Sequence, residues 1–391
     1  MTSRPLAVKA PLGDLERLRE LMGEAGLDAI VASSPESIYY LTGHYAADAM
    51  LDPSEATFAV IPRDPSLPTA LTVSEALALQ LEDFPAPLAE QLRFGQFFVS
   101  GSPLSGEPAA DATVALVMLL DRAALLSGEL GLELDRVPHA TYERIRAALP
   151  ASNIRDASTI LQRLRRSKGH EELRRLRHAT QAVELAISTA LEEIQPGQRE
   201  LDVDARMRQV LAEHGVEPTT VFVGAAERGA LVFSWATNRG IARGDLIRID
   251  LTASYGMYHA DLSRNAAVGM ATDEQRALYR ASRQAMEAAI SMVRAGVAVR
   301  DVLKAATKAA REAGIADFHR TFVGHGIGQL VHEKPWLVDS DAPIEAGDVL
   351  AVEAPYYVYG MGGFSPEDML FVAEQHVERW TYAPDELPIV G

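Results

Sequence analysis

The stretch GDLIRIDLTASYGMYHADLSRNAAVG, residues 244–269, decides the fold of the C-terminal part of this chain. It alternates apolar and polar residues and is interrupted by a Ser-Tyr-Gly-Met turn, which is the pattern of a β-hairpin. Placing the centre of the loop between Tyr255 and Gly256 puts Asp250 directly opposite Asp261. Directly opposed residues on one face hold their Cβ atoms about 4.5–5.5 Å apart. Two carboxylates at that distance either share a proton or bind a hard metal ion.

Composition excludes several classes of protein. The chain has 391 residues, 48% of them hydrophobic and 23% charged, which predicts two domains with sizeable cores. Its formal charge of −17 argues against general binding to nucleic acid or to anionic membranes. The absence of cysteine excludes disulfides, thiol nucleophiles and thiolate metal sites. Because the sequence shows no apolar signal core and no transmembrane run, we expect a cytoplasmic protein with no membrane or nucleic-acid partner.

The N-terminal part, residues 1–160, alternates helix and strand patterns, which predicts a small α/β domain. Its first helix follows Leu15 and stops at Gly26, whereas residues 112–126 are either a helix or a buried apolar segment. A charged segment follows at residues 160–177, with four basic side chains close together. We interpret it as a solvated linker helix in preference to a basic docking patch.

The C-terminal part, residues 161–391, contains an internal repeat. Residues 197–215 and 296–314 are helical segments of equal length bounded by glycine, and each follows a long amphipathic helix. The strand GDLIRID at 244–250 matches GDVLAVE at 347–353, with an acid at the same distance from the Gly-Asp start. We therefore predict two similar units about a pseudo-two-fold axis, with the site where they meet.

The second unit also carries a pair of acids. A hairpin centred on Gly360 places Glu353 opposite Glu367. Four acids at paired positions inside apolar strands would cost free energy if they were ordinary strand residues, because buried charge needs a partner. A shared role for the four acids is therefore favoured.

A histidine lies between the two hairpins, in the sequence GHGIG, where the glycines flanking His325 allow close approach of the backbone. One imidazole and four carboxylates form a mixed nitrogen and oxygen donor set for two divalent ions such as Mn²⁺, Co²⁺, Zn²⁺ or Fe²⁺. Two such ions about 3.5–4 Å apart polarise a carbonyl and activate water. A shared-proton dyad has no use for five ligands, so metal-assisted hydrolysis is the favoured chemistry.

This order of residues resembles the creatinase/aminopeptidase P/prolidase ("pita-bread") family, which includes methionine aminopeptidase. The matching features are an Asp, a second Asp eleven residues later, GHGIG with a second His seven residues on, a strand Glu, and a Glu-Asp. The resemblance covers about residues 165–385. It implies a small N-terminal α/β creatinase-like domain and a C-terminal pita-bread catalytic domain, an α/β (α+β) fold. The metal ligands that it implies are Asp250, Asp261, His325, Glu353 and Glu367.

The resemblance also implies roles for individual side chains. Asp250 and Glu367 would be the bridging or bidentate ligands, and Arg264 would be structural support. His332 would donate to the scissile carbonyl or its oxyanion. Glu353 would be both a ligand and a proton shuttle. Members with this layout bind two metal ions, with Mn²⁺ the first expectation, and form homodimers in which one subunit's N-terminal domain closes over the other's site.

Three departures from the family pattern lie on the substrate side. Phe233 stands where peptide-cleaving members usually carry a histidine, Ser365 stands where many carry an arginine, and Gln329 follows GHGIG. The expected substrate contacts are Phe233, Trp235, His259 and Gln329, with Trp336 and Tyr356 to Tyr359 on the rim. Since no metal ligand is affected, we expect the metals to bind, whereas these departures leave the choice between peptide and non-peptide substrates undecided.

Three functions remain in competition. The leading one is a dinuclear-metal hydrolase of an amide or peptide bond, similar to aminopeptidase P and Xaa-Pro dipeptidase. The alternative is a non-peptide small-molecule hydrolase or lyase of the creatinase or ectoine-hydrolase type, which the substrate-side departures favour. A catalytically dead binding module is disfavoured because all five ligands are present and no basic stripe exists for nucleic acid.

Overall fold

The computed structural model describes residues 11–47, 57–79, 90–95, 97, 100, 102, 104 and 106–391. The chain divides into two compact units, Met1–Arg165 and Arg166–Gly391. The helices are α1 Leu15–Ala25, α2 Pro35–Thr42, α3 Ala112–Arg122, α4 His139–Ala148, α5 Ser158–Arg166, α6 His170–Glu192, α7 Glu200–Glu213, α8 Asp273–Met292 and α9 Val299–Glu312. Within the described ranges, each helix is too short or too polar to cross a bilayer.

The strands of the first unit are β1 Ala29–Ala32, β2 Ala59–Pro62, β3 Ala70–Ser74, β4 Glu90–Phe94, β5 Glu129–Leu132 and β6 Asn153–Asp156. Those of the second are β7 Glu217–Ala225, β8 Leu246–Tyr255, β9 Tyr258–Val268, β10 Phe322–Gly326, β11 Glu333–Val338, β12 Val349–Glu353, β13 Tyr356–Val358, β14 Gly362–Phe364, β15 Glu367–Val372, β16 Val377–Arg379 and β17 Ile389–Val390. Mixed helix and strand in both units agrees with the predicted α/β class.

The described residues of the first unit form a six-stranded mixed sheet in the order β4-β3-β2-β1-β5-β6. Every residue of β1 is buried, and successive side chains enter different cores: Ile30 packs in one and Val31 in the other. A strand buried on both faces reads as a continuous apolar run, as the sequence showed. Residues 112–126, which the sequence left as either a helix or a buried apolar segment, contain the helix α3. Asp111 caps this helix by accepting from the Val114 backbone N–H at 2.9 Å.

The interpretation of the basic segment as a solvated helix was wrong. The helix breaks after α5, and three of its four basic side chains form buried or partly buried ion pairs, whereas Arg163 stays exposed. In the first unit Arg165 is buried. In the second, Arg166 Nε donates to Asp348 Oδ1 at 2.7 Å and Lys168 Nζ donates to Glu333 Oε2 at 2.7 Å. Buried carboxylates elsewhere in the chain supply these partners, so local charge density gave no sign of them.

The second unit contains two sheets, β17-β9-β8-β7 and β11-β10-β12-β15-β16, and the ribbon β13-β14. A helix pair precedes each sheet in the chain: α6 and α7 before the first, α8 and α9 before the second. Helices α8 and α9 bury their apolar faces with residues of β10, β12 and β15 in one core. Helix α6 contacts β8 and β9.

The repeated Gly-Asp segments form the same turn in both halves. Gly244 has φ +91° and Gly347 has φ +97°, conformations that favour glycine. Asp245 Oδ2 accepts from the Ala242 backbone N–H at 2.9 Å, and Asp348 Oδ2 accepts from that of Glu345 at 2.8 Å. The sequence repeat is therefore a structural repeat, which starts β8 and β12 in the same way.

The register predicted for the first hairpin was wrong. The observed pairs include Tyr255 with Tyr258, so the turn consists of Gly256 and Met257 alone. Both turn residues have positive φ, +56° and +68°, as in the two-residue turns whose twist matches that of hairpin strands. The twist of the strands thus moves the centre of the turn one position along from the expected one.

The shift changes the partner of each acid without changing its face. Asp250 pairs with Ser263, and Asp261 pairs with Thr252. Because side chains alternate with a period of two, a partner shift of two residues keeps both acids on one face as diagonal neighbours.

The second hairpin confirms the prediction, since Glu353 pairs directly with Glu367 across β12 and β15. The loop between them folds into the ribbon β13-β14, in which Val358 pairs with Gly362. The turn therefore lies around Gly360, as expected from the glycines.

Candidate metal centre

The folded chain brings the acids of both hairpins and His325 together. In each of two groups the potential ligand atoms lie within 4.8 Å of one another: Asp250, Asp261 and Glu367, and Asp261, His325 and His332. Asp261 belongs to both groups, so the first hairpin contributes to both halves of the site. Glu353 lies outside these groups but directly opposite Glu367.

The position of His325 fits a metal ligand better than a hydrogen-bond donor. Its Nδ1 lies 3.0 Å from the Gly326 carbonyl oxygen, which leaves Nε2 for another partner. Nε2 lies 3.9 Å from Asp261 Oδ2 and 4.0 Å from Glu367 Oε1. These distances are too long for hydrogen bonds. An ion about 2.0–2.2 Å from each ligand atom bridges separations of this size.

The glycines beside His325 leave no room for a side chain. Gly324 has φ +142°, and a Cβ there would lie 2.3 Å from the Ala351 carbonyl oxygen on β12. A Cβ on Gly326 would lie 2.4 Å from the Lys334 carbonyl oxygen. Close approach of the neighbouring strands thus explains why glycine flanks the histidine.

Burial controls the protonation of the carboxylates. Burial raises the pKa of Asp250, the neighbouring Asp261 charge raises it further, and Arg248 lowers it. Burial and the three other acids raise the pKa of Glu367 well above its ordinary value. For Glu353, burial raises the pKa, Arg320 lowers it and Asp250 raises it. Four such carboxylates do not all ionise without added positive charge, which divalent cations supply when they displace the protons.

Sequence reasoning missed Arg248, a fully buried cation in the site. Its Nη1 donates to Asp250 Oδ2 at 3.0 Å, and its Nε donates to the Gly229 carbonyl at 3.0 Å. Its Nη2 donates to the Leu231 and Val232 carbonyls, each at 2.7 Å. Arg248 therefore ties a metal-ligand candidate to the loop that precedes Phe233. An arginine two positions from Asp250, on the same strand face, was the available signal.

His332 lies on the open side of the site, on a loop fixed by buried charges. Its ring centroid is 4.4 Å from that of His325 and 5.0 Å from that of Trp336. The next residue, Glu333, accepts from Lys168 and from the Leu330 backbone N–H at 3.2 Å. Partial burial lowers the pKa of His332, so its imidazole is neutral at neutral pH. It can donate one N–H to a substrate or offer a nitrogen to a metal.

Two of the predicted substrate contacts are exposed aromatics beside the first hairpin. Phe233 is 72% exposed and Trp235 is 55% exposed. Both rings contact Phe222, with centroid distances of 5.6 Å and 4.8 Å, and Phe222 pairs with Asp250. Their exposure next to a metal-ligand candidate is consistent with a pocket wall and not with a core role.

The other two predicted contacts lie at the GHGIG loop. Gln329 is buried, and its side-chain amide has no hydrogen-bond partner among the described residues. The backbone N–H of His259 donates to the Gly328 carbonyl at 2.8 Å and so ties the first hairpin to this loop.

Arg264 and Ser365 have structural partners. Arg264 Nη1 donates to the Glu367 carbonyl, and its Nη2 donates to Asp368 Oδ1 at 3.0 Å. Ser365 Oγ lies 2.6 Å from the Oγ of Ser263, the strand partner of Asp250. Position 365 therefore lies beside the first hairpin, and the Ser365 hydroxyl is already hydrogen-bonded to Ser263.

Comparison with known proteins follows the same division of the chain. Residues 174–374 match metallopeptidase family M24, and residues 15–167 match the creatinase/prolidase N-terminal domain. An Xaa-Pro dipeptidase of Pyrococcus furiosus is 25% identical over 95% of this chain and 99% of its own. A probable dipeptidase, PepE, of Mycobacterium tuberculosis is 33% identical over 60% of this chain and 63% of its own.

Solved structures show the same fold over nearly the whole length. The X-Pro aminopeptidase of Thermotoga maritima has a TM-score of 0.81 and 23% identity, covering 96% of this chain and 99% of that one. The family match extends over more than half of the 391 residues and contains every metal-ligand candidate. The chain therefore belongs to metallopeptidase family M24.

Proposed function

We propose that this chain is a dinuclear-metal peptidase that cleaves the amide bond of small Xaa-Pro peptides. The observation that carries the proposal is a pair of overlapping groups of potential ligands, each with its ligand atoms within 4.8 Å of one another: Asp250, Asp261 and Glu367, and Asp261, His325 and His332. The family implies divalent metal ions, and the mixed donor set suits Mn²⁺ first, with Co²⁺, Zn²⁺ or Fe²⁺ as alternatives. The Xaa-Pro dipeptidase of Pyrococcus furiosus supports the class of substrate.

Each side chain has a task in the proposed reaction. Divalent ions would polarise the scissile carbonyl and activate water. His332, neutral and on the open side, would donate its N–H to the carbonyl oxygen as negative charge develops there. Glu353, a ligand candidate directly opposite Glu367, would take a proton from the activated water and pass it to the leaving nitrogen.

Elemental analysis of the purified protein, followed by assay on Xaa-Pro dipeptides with added Mn²⁺, tests the proposal. Two metal ions per chain together with dipeptide turnover would support it. The absence of bound metal after reconstitution would contradict the dinuclear mechanism.

His332→Ala separates the two tasks open to this histidine. If His332 donates to the developing oxyanion, the kcat of the variant should fall about 10²–10³-fold while the metal content stays unchanged. A fall in metal content would instead make His332 a ligand.

A small non-peptide amide is the second candidate substrate. It is favoured by exposed Phe233 where peptide-cleaving members usually carry a histidine, and by Ser365, whose hydroxyl pairs with Ser263. Two metals without turnover of any dipeptide would favour this candidate. A binding module without catalysis is the least supported, since the ligand set is complete.

We also propose that the protein forms a homodimer, as the family resemblance implies. Sedimentation equilibrium of the purified chain tests this, and a single species of 42.3 kDa would contradict it.

A further inference from the structure

His332 has few contacts that hold its own ring in place. The residue is exposed, and no group in the described part of the chain hydrogen-bonds to its ring. The ring contacts those of Trp336 and His325, with centroids 5.0 Å and 4.4 Å away. Donation of a hydrogen bond depends on distance and angle, so the backbone that carries His332 must itself be held in position.

The next residue, Glu333, is buried and anchors this backbone. Its Oε1 accepts from the Leu330 backbone N–H at 3.2 Å, and its Oε2 accepts from Lys168 Nζ at 2.7 Å. A Cβ on Gly328 would lie 2.6 Å from Oε2, so the loop backbone closes tightly on the carboxylate. Residues 328–332 are therefore wrapped around the Glu333 carboxylate, and its position sets that of His332.

Lys168 holds this carboxylate from outside the loop. The Lys168 side chain is 2% exposed and that of Glu333 is 7% exposed. Buried pairs are screened little by solvent, and removing one partner leaves the other charge uncompensated. Without Lys168 the carboxylate would have to turn toward water, which would release its bond to Leu330.

A second path of contacts leads from Lys168 back to the loop through the first hairpin. Lys168 lies directly before helix α6, in which Glu172 accepts from Tyr258 Oη on β9 at 3.1 Å. The next residue of β9, His259, donates its backbone N–H to the Gly328 carbonyl at 2.8 Å. The contacts thus form a closed ring, which connects the loop of His332 to the strand of a metal-ligand candidate.

We propose that Lys168 is a positioning residue for His332, which it holds through the Glu333 carboxylate in the place from which His332 donates to the substrate. This assignment rests on the proposed role of His332 in amide hydrolysis. Lys168 acts through Glu333 and does not itself act on the scissile bond.

A double-mutant cycle of Lys168→Met and His332→Ala, assayed on Ala-Pro with added Mn²⁺, tests the assignment. In Lys168→Met, kcat should fall about 10–100-fold because the donor is misplaced, whereas KM should change by less than about threefold. The metal content should stay unchanged. In the His332→Ala background, Lys168→Met should lower kcat by less than about twofold, because no donor is left to position. An equal loss in the two backgrounds, or a fall in metal content, would overturn the assignment.

Gly328→Ala tests the same contact if Lys168→Met does not fold. The added methyl group meets the flexible end of Glu333 and displaces its carboxylate, while every charge is retained. This variant should reproduce the fall in kcat and its dependence on His332. A wild-type kcat in Gly328→Ala would overturn the assignment.

Arg175→Met is the matched control, since it removes another buried cation of the same unit. Arg175 donates to Glu171 Oε1 and to the Gly256 carbonyl at the turn of the first hairpin, each at 2.8 Å. Arg175→Met should lower the midpoint of urea unfolding and keep the wild-type kcat. A fall in its kcat equal to that of Lys168→Met would overturn the assignment, since it marks an effect of stability alone.

NMR of the His332 ring gives a readout that does not depend on turnover. In full-length protein with isotope-labelled histidines and added diamagnetic Zn²⁺, the His332 signal is the one missing from His332→Ala. Because the Trp336 ring lies 5.0 Å away at an interplanar angle of 31°, this signal should be shifted from that of free histidine. It should keep this shift in Arg175→Met and move toward free histidine in Lys168→Met and Gly328→Ala.

Absence of Ala-Pro turnover by the wild type would contradict the proposed Xaa-Pro activity alone. The NMR signal of His332 then decides the Lys168 assignment. A signal that moves toward free histidine in the folded variants supports it, and a signal that stays at the wild-type position overturns it.

Discussion

The hairpin β8-β9 turns through two residues, Gly256 and Met257, whereas the hairpin that joins Glu353 to Glu367 turns through a longer loop that folds into its own ribbon. The tight turn offsets its acids by two positions, and the longer loop sets its acids directly opposite each other. Both arrangements place the two acids of a hairpin on one face of the sheet. Which face an acid occupies depends on the parity of the pairing, and a metal site tolerates a shift of two residues more readily than a shift of one.

The two hairpins also differ in how their charge is balanced. At equivalent positions of the repeat, two residues before the strand acid, the first has buried Arg248 and the second has Ala351. The first hairpin therefore carries its own cation, bonded to Asp250. The second lies within electrostatic reach of Arg320, two residues before β10, which lowers the pKa of Glu353. A repeated backbone thus supports two different electrostatic environments.

Removing an acid from the first hairpin should have the largest effect. Asp250→Ala removes a ligand candidate, so metal content should fall and turnover should drop to background. The loss of metal affinity and activity should exceed the 10–100-fold that is typical when a residue supporting a ligand is replaced. Thermal unfolding of the metal-free protein should change less than in Arg248→Met, because Arg248 keeps three backbone carbonyl acceptors and the repulsion between Asp250 and Asp261 is removed. Elemental analysis and a turnover assay check this, with exposed Glu374→Ala as the control; full turnover by Asp250→Ala would contradict the proposed site.

Making the first hairpin resemble the second in charge should destabilise the protein. Arg248→Met leaves the Asp250 carboxylate, three backbone carbonyls and Ser234 without their donor. Breaking a buried charge pair from one side costs about 3–5 kcal/mol. Denaturant unfolding of the metal-free protein measures the loss. Arg294→Met, at an exposed arginine, should stay within about 0.5 kcal/mol, and an equal effect of the two substitutions would remove the special role of Arg248.

Changing pH should reveal how the first hairpin is held to helix α6. Glu172 is buried, accepts from Tyr258 Oη on β9 at 3.1 Å, and has a pKa that burial raises to about 7. The folded protein then binds more protons than the unfolded chain between the ordinary pKa and about 7, so stability falls as pH rises through that window. The loss approaches about 3 kcal/mol at 1.36 kcal/mol per pKa unit.

Glu172→Gln removes this titration. Urea unfolding of chelator-treated protein measures the free energy of unfolding of both proteins. The difference between Glu172→Gln and the wild type should shift in favour of the variant by up to about 3 kcal/mol from pH 4.5 to pH 8. A difference between the two proteins that does not depend on pH would show that Glu172 titrates normally.

Relieving the tight turn should have the smallest effect. Met257 adopts φ +68°, which costs an L-residue roughly 1–2 kcal/mol in left-handed backbone and costs glycine little. After the greater entropy of glycine in the unfolded chain is subtracted, Met257→Gly should stabilise the protein by about 0.5 kcal/mol. The control Met270→Gly, at an exposed methionine outside the positive-φ region, should be neutral or destabilising. A lower stability of Met257→Gly would contradict the inferred backbone strain at Met257.

Much of the fold was predictable because its signals are local. The helix after Leu15 ends at Gly26, where φ is +66°, and the glycines of the repeat mark equivalent turns. The segment after residue 112 was ambiguous because an apolar run suits either a helix or a buried strand, and only packing on the sheet decides. The register of the first hairpin was missed because the twist of both strands selects the turn.

The sequence by itself determined the ligand candidates, their order and the repeat that holds them, because spacing along a strand fixes the face of each side chain. Only the tertiary structure decided which charges meet: Arg248 with Asp250, Lys168 with Glu333, and Arg320 within electrostatic reach of Glu353. These contacts join residues that pack from separate strands, helices and loops. Electrostatic energy depends on distance and burial in space, and neither quantity is written in the spacing of residues along the chain.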